Sequence, residues 1–250
     1  MVVPLRLPQF LGIGAQKAGT TTLQALLAQH PQVFLPDRKE LHYFSLHFDA
    51  GLQWYGNQFA AAGPAQRCGE ITPYYLFHPQ APLRIRALLP QVRLIVLLRD
   101  PVERTLSQYF HARRLGLEPL PLEQALAAEA GRLAGAELVL RAPGGRHRSH
   151  QEHSYLARSR YEQQLARYQQ WFGADQLLVR SSEELFAGSE QLWRELLAFL
   201  ELDPWPLPAS LRRNAGVGEA AAVELGLREQ LREQLHPTYV AMEACYGISW

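Results

Sequence analysis

Residues 92–114 read VRLIVLLRDPVERTLSQYFHARR, and this stretch decides the fold. Its first seven residues, 92–98, are apolar apart from Arg93, and three of them are β-branched. Such a run is typical of a strand that is buried on both faces, as in a parallel sheet. Residues 101–114 then predict a helix that Pro101 opens, because proline is favoured in a first helical turn. A buried strand followed directly by a helix is the repeating unit of an α/β fold.

The same alternation of short apolar runs and amphipathic segments extends in both directions. Residues 10–14 (FLGIG) predict a buried strand, and residues 20–29 predict a helix with leucines on one face. Further strands are predicted at 68–72 and 177–180, and further helices at 82–89, 161–172, 190–200 and 223–235. The stretch 141–153 (RAPGGRHRSHQEH) is the least regular and predicts a mobile loop. We therefore expect one domain over residues 1–250 with a central parallel sheet flanked by helices.

Composition excludes several classes of protein. The chain has 250 residues, of which 47% are apolar and 20% charged, as in soluble globular proteins. Its 25 basic and 24 acidic residues nearly cancel, so no overall charge favours nucleic acid or an anionic membrane. Two cysteines cannot form a disulfide framework. Residues 1–15 are interrupted by Pro4, Arg6 and Pro8, which predicts neither a signal peptide nor a membrane span. A cytoplasmic location is expected, and the oligomeric state stays open.

Lysine is nearly absent from the chain. Of the 25 basic residues 23 are arginine, and the two lysines are Lys17 and Lys39. Lysine offers a compact, rotatable ammonium where arginine offers a wide planar fork. Both lysines fall inside candidate functional motifs.

The first motif joins the first strand to the first helix. Residues 14–22 read GAQKAGTTT. Glycine allows backbone amides to approach an anion closely, and a helix N-terminus adds unpaired N–H donors with partial positive charge. The segment predicts a phosphate or sulfate cradle and a P-loop-like sheet. An ordinary glycine-containing turn with a solvated lysine is the alternative.

This motif differs from the nucleotide triphosphatase pattern G-x-x-x-x-G-K-[ST], in which lysine follows the second glycine. Here Thr20 stands at that position and Lys17 lies two residues before Gly19. A lysine inside the loop can reach the bridging oxygen of a phosphoanhydride. The pattern therefore favours an anion site of another type than that of the ATP-dependent kinases.

The second motif ends the buried strand at Arg99 and continues into the helix with Ser107. Because ligands of open α/β sheets bind at the carboxyl ends of strands, Arg99 is expected to point to the same crevice as the loop. Its fork suits a phosphate, to which Ser107 could also donate. Asp100 could be a magnesium ligand, although a structural Asp100–Arg104 pair capping the helix is the simpler interpretation.

The third motif is KELHYF at residues 39–44. A carboxylate close to an anion cradle suits a general base, which takes a proton from an incoming nucleophile. Glu40 is the candidate base, and Lys39 would keep it ionised if their side chains converge. His42 is a candidate second proton carrier or a hydrogen-bonded structural residue. A solvated surface Lys–Glu pair is the alternative.

Together these segments resemble the sulfotransferases that use 3′-phosphoadenosine 5′-phosphosulfate (PAPS), and most of all the heparan-sulfate-type branch and its bacterial relatives. QKAGTTTL is similar to that family's 5′-phosphosulfate loop, RLIVLLRDPVERTLSQYF to its 3′-phosphate motif and KELHYF to the segment with its glutamate base. The resemblance continues through EITPYYLF (70–77), SRYEQQLARYQQWF (159–172), RRNAGVG (212–218) and the C-terminal residues.

The resemblance implies a donor, a set of site residues and a reaction. The implied donor is PAPS, which would leave adenosine 3′,5′-bisphosphate, and no metal is expected. The implied donor-binding residues are Lys17, Ala18, Gly19, Thr20, Thr21, Thr22, Arg99, Ser107, Arg212 and Arg213. The implied catalytic residues are Glu40, Lys17 and His42, and the implied acceptor-side residues are Lys39, Glu70, Tyr74 and Tyr75. The implied reaction is in-line sulfuryl transfer to a hydroxyl or amine.

Two departures bear on the acceptor. Many glycan-modifying relatives carry lysine after the glutamate of the EITP segment, where this chain has Ile71. Residues 115–155 have no clear counterpart and are expected to shape the acceptor pocket. The acceptor could be a small molecule, a lipid or a carbohydrate.

Two other functions compete with this one. A P-loop kinase or nucleotidase would use ATP and magnesium, with Asp100 as a metal ligand. A non-catalytic protein could keep the nucleotide cradle without turnover. His147, His150 and His153 are spaced three apart in the irregular stretch, but they lack the surrounding pattern of a metal site.

Overall fold

A computed structural model of the chain describes residues 5–208 and 219–250. Five strands form one sheet in the order β2-β3-β1-β4-β5, and every pairing is parallel. The strands are β1 (Phe10–Gly14), β2 (Val33–Phe34), β3 (Arg67–Ile71), β4 (Arg93–Leu98) and β5 (Leu177–Ser181). Because β1 is the middle strand, the loop that follows it opens at the centre of the carboxyl edge.

Helices flank the sheet and connect its strands. In chain order they are α1 (Thr20–Leu27), α2 (Gly51–Asn57), α3 (Tyr74–Phe77), α4 (Ala81–Leu88), α5 (Pro101–Arg114), α6 (Leu122–Leu133), α7 (Ala136–Leu140), α8 (Arg148–Glu152), α9 (Tyr161–Gln169), α10 (Ser182–Phe186), α11 (Glu190–Phe199), α12 (Leu225–Gln234) and α13 (His236–Tyr246). The predicted α/β fold, with a P-loop-like parallel sheet flanked by helices, is confirmed.

The segment that decides the fold forms as predicted. Leu94 to Leu98 of β4 are buried, as a strand covered on both faces requires. At the start of α5 the Asp100 carboxylate caps the helix, since its Oδ1 accepts the amide of Glu103 at 2.9 Å. Local chemistry thus fixes both the strand and the beginning of the helix after it.

The irregular stretch 141–153 is more ordered than its composition predicts, so the loop prediction is wrong for residues 148–152. These residues form α8, whose first turn is capped by the ring Nδ1 of His147 accepting the amide of His150 at 3.2 Å. The His150 ring is buried and stacks on Phe77 with ring centroids 4.1 Å apart. Packing against α3 therefore orders a segment that is rich in glycine and charge.

Residues 115–155 are joined to the rest of the protein through α5. Tyr109 and Ala112 of α5 pack with Ala125 of α6 and with Tyr155 in one apolar cluster. The Tyr155 hydroxyl donates to the buried carboxylate of Glu118 at 2.7 Å. The segment is thus anchored on the helix that follows the central strand β4.

Candidate active site

The loop between β1 and α1 has the shape of an anion cradle. Gly19 caps α1 in the left-handed conformation (φ 82°), which glycine adopts without steric cost. A Cβ at this position would lie 2.8 Å from Cζ of Phe186, so the chain also needs glycine for space. The first amides of a helix have no carbonyl partner within it. Here those amides belong to the three threonines at the start of α1.

Lys17 lies in this loop among other cations. Its side chain is half-buried and its backbone has a φ of 72°. Burial lowers the pKa of the Lys17 ammonium, and the positive charges of Arg114, Arg99, Arg104 and Lys39 lower it further. These positive charges disfavour the charged form of Lys17, and a bound anion would favour it.

Arg99 comes from the neighbouring strand and reaches the same loop. Its Nη1 lies 3.5 Å from the backbone oxygen of Lys17, and its Nη2 lies 3.7 Å from a carboxylate oxygen of Glu103. The side chain is half-buried, as is that of Ser107 in the second turn of α5. The loops after β1 and β4 therefore meet at the carboxyl edge of the sheet, as predicted.

Asp100 is occupied as a structural residue. Besides capping α5 through Oδ1, it accepts the hydroxyl hydrogen of Tyr239 at Oδ2 over 2.9 Å. Its own amide donates to Glu183 at 3.1 Å. Both carboxylate oxygens thus accept hydrogen bonds from protein groups. Asp100 caps the helix through the Glu103 amide and not through a side-chain pair with Arg104.

Lys39 connects the candidate base to the cradle. Its Nζ donates to the hydroxyl of Thr21 at 2.6 Å and lies 3.5 Å from Oε1 of Glu40. The pair therefore does not project alone into solvent, because it meets the first turn of α1. Burial by itself would raise the pKa of Glu40, but the hydrogen bond of His42 and the charge of Lys39 outweigh it. The pKa of Glu40 consequently lies below its usual value, and the carboxylate is ionised.

The backbone at the candidate base is in a conformation rare for its residue types. Glu40 has a φ of 59° and His42 a φ of 55°, both in the left-handed region. Nε2 of His42 lies 3.4 Å from Oε2 of Glu40, and its Nδ1 lies 3.1 Å from the Ser45 hydroxyl. Such local strain is found where a structure holds functional side chains in place.

The imidazole of His111 on α5 lies within electrostatic range of both candidate catalytic groups. Burial lowers its pKa first; the charge of Lys17 lowers it further, and that of Glu40 raises it. Through Lys39, which bonds to the Thr21 hydroxyl and lies beside Glu40, the candidate base adjoins the helix that follows the Lys17 loop.

Three of the predicted acceptor-side residues, Glu70, Tyr74 and Tyr75, are buried. The carboxylate of Glu70 accepts hydrogen bonds from the hydroxyls of Tyr55, Tyr75 and Thr72, each at 2.8 Å. Glu70 is 2% exposed and Tyr75 is fully buried. Burial raises the pKa of Glu70 although the three hydroxyls lower it. Neither side chain can touch an acceptor directly, so a role for them would act through Thr72, whose hydroxyl accepts the His42 amide at 3.4 Å.

The departure at Ile71 is explained by packing. Its side chain is buried, and a Cβ on Gly12 of the neighbouring strand would lie 2.9 Å from it. Ile71 therefore fills the core between β1 and β3.

The buried side chains of Tyr74 and Arg158 pack on each other next to His42. The Tyr74 ring packs edge-on to His42 at 5.9 Å, and its hydroxyl shares a hydrogen bond with Nδ1 of His150 at 2.8 Å. Arg158 stacks on the Tyr74 ring at 4.9 Å and donates to the side-chain oxygen of Gln16 in the cradle loop. Sequence reasoning missed Arg158 because Gln16 and Tyr74, which link it to the site, are far away along the chain. Its place directly before the SRYEQQL segment was the only signal.

The three spaced histidines do not converge. His147 caps α8, His150 bonds to Tyr74, and His153 contacts Ser149 and Leu117. In residues 5–208 and 219–250, no three His, Cys, Asp or Glu side chains are grouped as metal ligands would be. The predicted Arg212 and Arg213 lie outside the described residues.

The fold is that of an α/β protein whose central strand β1 is followed by a glycine-containing loop and a helix. The chain belongs to the sulfotransferase family, because residues 7–211 match the family model of the sulfotransferase domain. A crystal structure of a sulfotransferase from Alicyclobacillus acidocaldarius superposes with a TM-score of 0.78. That match covers 98% of each chain at 27% identity.

Curated relatives of the heparan-sulfate type match shorter stretches. Heparan sulfate glucosamine 3-O-sulfotransferase 6 of Homo sapiens is 39% identical over 127 residues, or 50% of this chain and 36% of that protein. Membrane-associated sulfotransferase kil1 of Dictyostelium discoideum is 42% identical over 108 residues, or 42% of this chain and 23% of that protein. The matches thus span well under half of these relatives' own length. Across the described part of the chain, no helix has the length and apolarity needed to cross a membrane.

Proposed function

We propose that this sulfotransferase takes its sulfuryl group from PAPS and transfers it to a hydroxyl or amine, with Glu40 as the general base. One observation carries the proposal. Lys39 contacts both the Thr21 hydroxyl of the cradle and the Glu40 carboxylate. A carboxylate would weaken a site that only binds anions, whereas a base at the edge of an anion cradle suits group transfer.

The residues of the crevice fit the charge of the donor. PAPS carries about four negative charges if each phosphate monoester contributes about −1.5 to −2. Lys17 and the neighbouring Arg99 offer positive charge without a metal ion, and the first turn of α1 offers backbone and hydroxyl donors. Residues at the start of α1 and Lys17 would hold the 5′-phosphosulfate, and Arg99 with Ser107 would hold the 3′-phosphate.

The residues then divide the chemistry between them. PAPS, when bound, supplies the sulfuryl group and a phosphate leaving group. Glu40 accepts the proton of the acceptor hydroxyl or amine as the new bond to sulfur forms. The Lys17 ammonium stabilises the negative charge that collects on the bridging oxygen as its bond to sulfur breaks. His42 holds Glu40 in its orientation and can relay the proton to solvent. This is catalysis by positioning and fixed charge.

The acceptor class follows less directly. The curated relatives include enzymes named for heparan sulfate, so a carbohydrate is one candidate. Many glycan-modifying relatives carry a lysine at the position of Ile71. In this chain Ile71 is packed in the core, so no cation stands there. A small molecule and a lipid therefore stay candidates, and helices α6 to α8 of residues 115–155 are proposed to border the acceptor pocket.

The donor assignment is tested by calorimetry. Adenosine 3′,5′-bisphosphate and ATP are titrated into the protein with and without magnesium. Tight binding of the bisphosphate that does not depend on magnesium supports the proposal, and preference for ATP with magnesium contradicts it in favour of a kinase. Transfer from radiolabelled PAPS to heparan sulfate and to 4-nitrophenol then separates an enzyme from a non-catalytic binding protein.

A further inference from the structure

Arg158 is a buried cation whose hydrogen-bond partners are neutral groups. Its side chain is 3% exposed. The guanidinium donates to the Ser154 hydroxyl at 3.0 Å and lies against the faces of Tyr74 and Phe77, 4.9 and 5.1 Å from the ring centroids. Burial lowers its pKa to about 10, so it stays charged at neutral pH. Burying a charge costs free energy, so the hydrogen bonds that Arg158 makes indicate its role.

The first connection is to the end of α8. Nη2 of Arg158 donates to the backbone oxygens of His150 at 2.8 Å and Gln151 at 2.6 Å. The last carbonyls of a helix have no partner within it, and an arginine fork can satisfy two of them at once. Arg158 thereby fixes the helix whose His150 ring bonds to Tyr74.

The second connection is to the cradle. Nη1 of Arg158 donates to the side-chain oxygen of Gln16, 142 residues earlier in the chain. Gln16 directly precedes Lys17, whose φ of 72° is unusual for a residue with a side chain. A hydrogen bond at Gln16 therefore restrains the loop next to Lys17.

The third connection supports the arginine itself. Arg158 lies in the turn Ala157–Ser159, and Glu129 of α6 holds that turn. Its carboxylate accepts the amides of Tyr155 at 2.8 Å, Leu156 at 2.8 Å and Ala157 at 2.9 Å. Residues 115–155 thus contribute a carboxylate that places an arginine on the cradle loop.

We propose that Arg158 is a positioning residue for sulfuryl transfer. Through Gln16 it fixes the loop that contains Lys17, and through His150 it fixes the buried Tyr74 ring beside His42. The inference rests on the proposed function, since it assigns Lys17 to the leaving group. It predicts that the residue acts on the reaction step more than on binding, because Gln16 and Arg158 reach the donor only through Lys17 and its loop.

Steady-state kinetics of three variants test the proposal. Gln16→Ala removes the loop side of the contact and leaves the other bonds of Arg158 in place. Arg158→Lys keeps the charge and removes the planar fork. Arg160→Lys is the matched control, because that arginine is exposed two residues further on. With PAPS and heparan sulfate or 4-nitrophenol, kcat of the first two variants is expected to fall about 10²-fold, as for a misplaced catalytic group.

Two comparisons separate positioning from general stability. The KM for PAPS is expected to change less than about tenfold in each variant. The double variant Gln16→Ala/Arg158→Lys is expected to be no slower than the slower single variant, because both substitutions act through one contact. Thermal unfolding is recorded for each variant. A Gln16→Ala enzyme with kcat within about twofold of wild type overturns the proposal, as does a double variant whose two losses multiply.

A second readout needs no acceptor. Because Lys17 and Lys39 are the only lysines, a protein produced with isotope-labelled lysine gives two side-chain ammonium signals in NMR. Gln16→Ala is expected to shift the Lys17 signal and leave that of Lys39 in place. Two unmoved signals overturn the proposal. If wild type transfers no sulfuryl group to either probe, the proposed enzyme function fails, and the Lys17 signal still decides the positioning role.

Discussion

Replacing Gly19 by alanine tests whether the loop after β1 is a cradle with an exact shape. Gly19 has a φ of 82° and a Cβ there would lie 2.8 Å from Cζ of Phe186. The left-handed conformation costs an L-residue about 1–2 kcal/mol. The contact is nearly 1 Å shorter than the ~3.5–4 Å of an ordinary carbon contact, and overpacking of this kind adds about 1–3 kcal/mol. The sum is about 2–5 kcal/mol.

Gly135→Ala is the matched control. Gly135 also caps a helix in the left-handed conformation, with a φ of 74°, and a Cβ there would meet nothing within 4 Å. It is expected to lose only about 1–2 kcal/mol. Urea unfolding measures both losses, and calorimetry with adenosine 3′,5′-bisphosphate measures binding. Weakened binding is expected for Gly19→Ala alone, because only that change displaces the amides of α1. Equal stability and equal affinity of the two variants would refute the reasoning.

Two further predictions concern Lys17 and Asp100. Because burial and nearby cations lower the Lys17 pKa, its NMR signal should titrate below the usual 10.5, and bound adenosine 3′,5′-bisphosphate should raise that pKa. Affinity should therefore fall as pH rises through the lowered pKa, while the ligand-free protein gains stability from this group, since the unfolded chain binds more protons there. A Lys17 signal that titrates at the usual value would contradict this. Asp100→Ala removes the cap of α5 and should cost about 1–2 kcal/mol in urea unfolding, without creating or removing magnesium dependence. A loss of magnesium-dependent binding in that variant would restore the metal-ligand interpretation.

Where local chemistry decides the structure, the sequence predicted it well. The boundaries of α5 were predicted to the residue, because Asp100 caps it and Pro101 favours its first turn. Strands β1 and β4 are apolar runs that only a covered sheet can bury. The two-residue strand β2 was missed because it forms only by pairing with β3. Helix α8 was missed because packing on Phe77 stabilises it.

The same distinction applies to the site. The loop after β1 and the Lys39–Glu40 pair each lie in a short motif, so the sequence could single them out, and their roles stay predictions. The burial of Glu70 and Tyr75 could not, since it depends on Tyr55 from another helix. Arg158 could not be found either, because it bonds to Gln16 from a distant part of the chain, and Glu129 of α6 holds the turn that carries it. The cytoplasmic location stays a prediction from the sequence.

The central claim is that Glu40 is the base for transfer from PAPS. The most direct test compares wild type with Glu40→Gln, which keeps the shape of the side chain and removes its basicity. Transfer from radiolabelled PAPS to heparan sulfate and 4-nitrophenol is measured with EDTA present, and binding of adenosine 3′,5′-bisphosphate is measured beside it. We expect turnover to fall about 10²–10⁴-fold with binding retained. Turnover of Glu40→Gln at the wild-type rate would contradict the account.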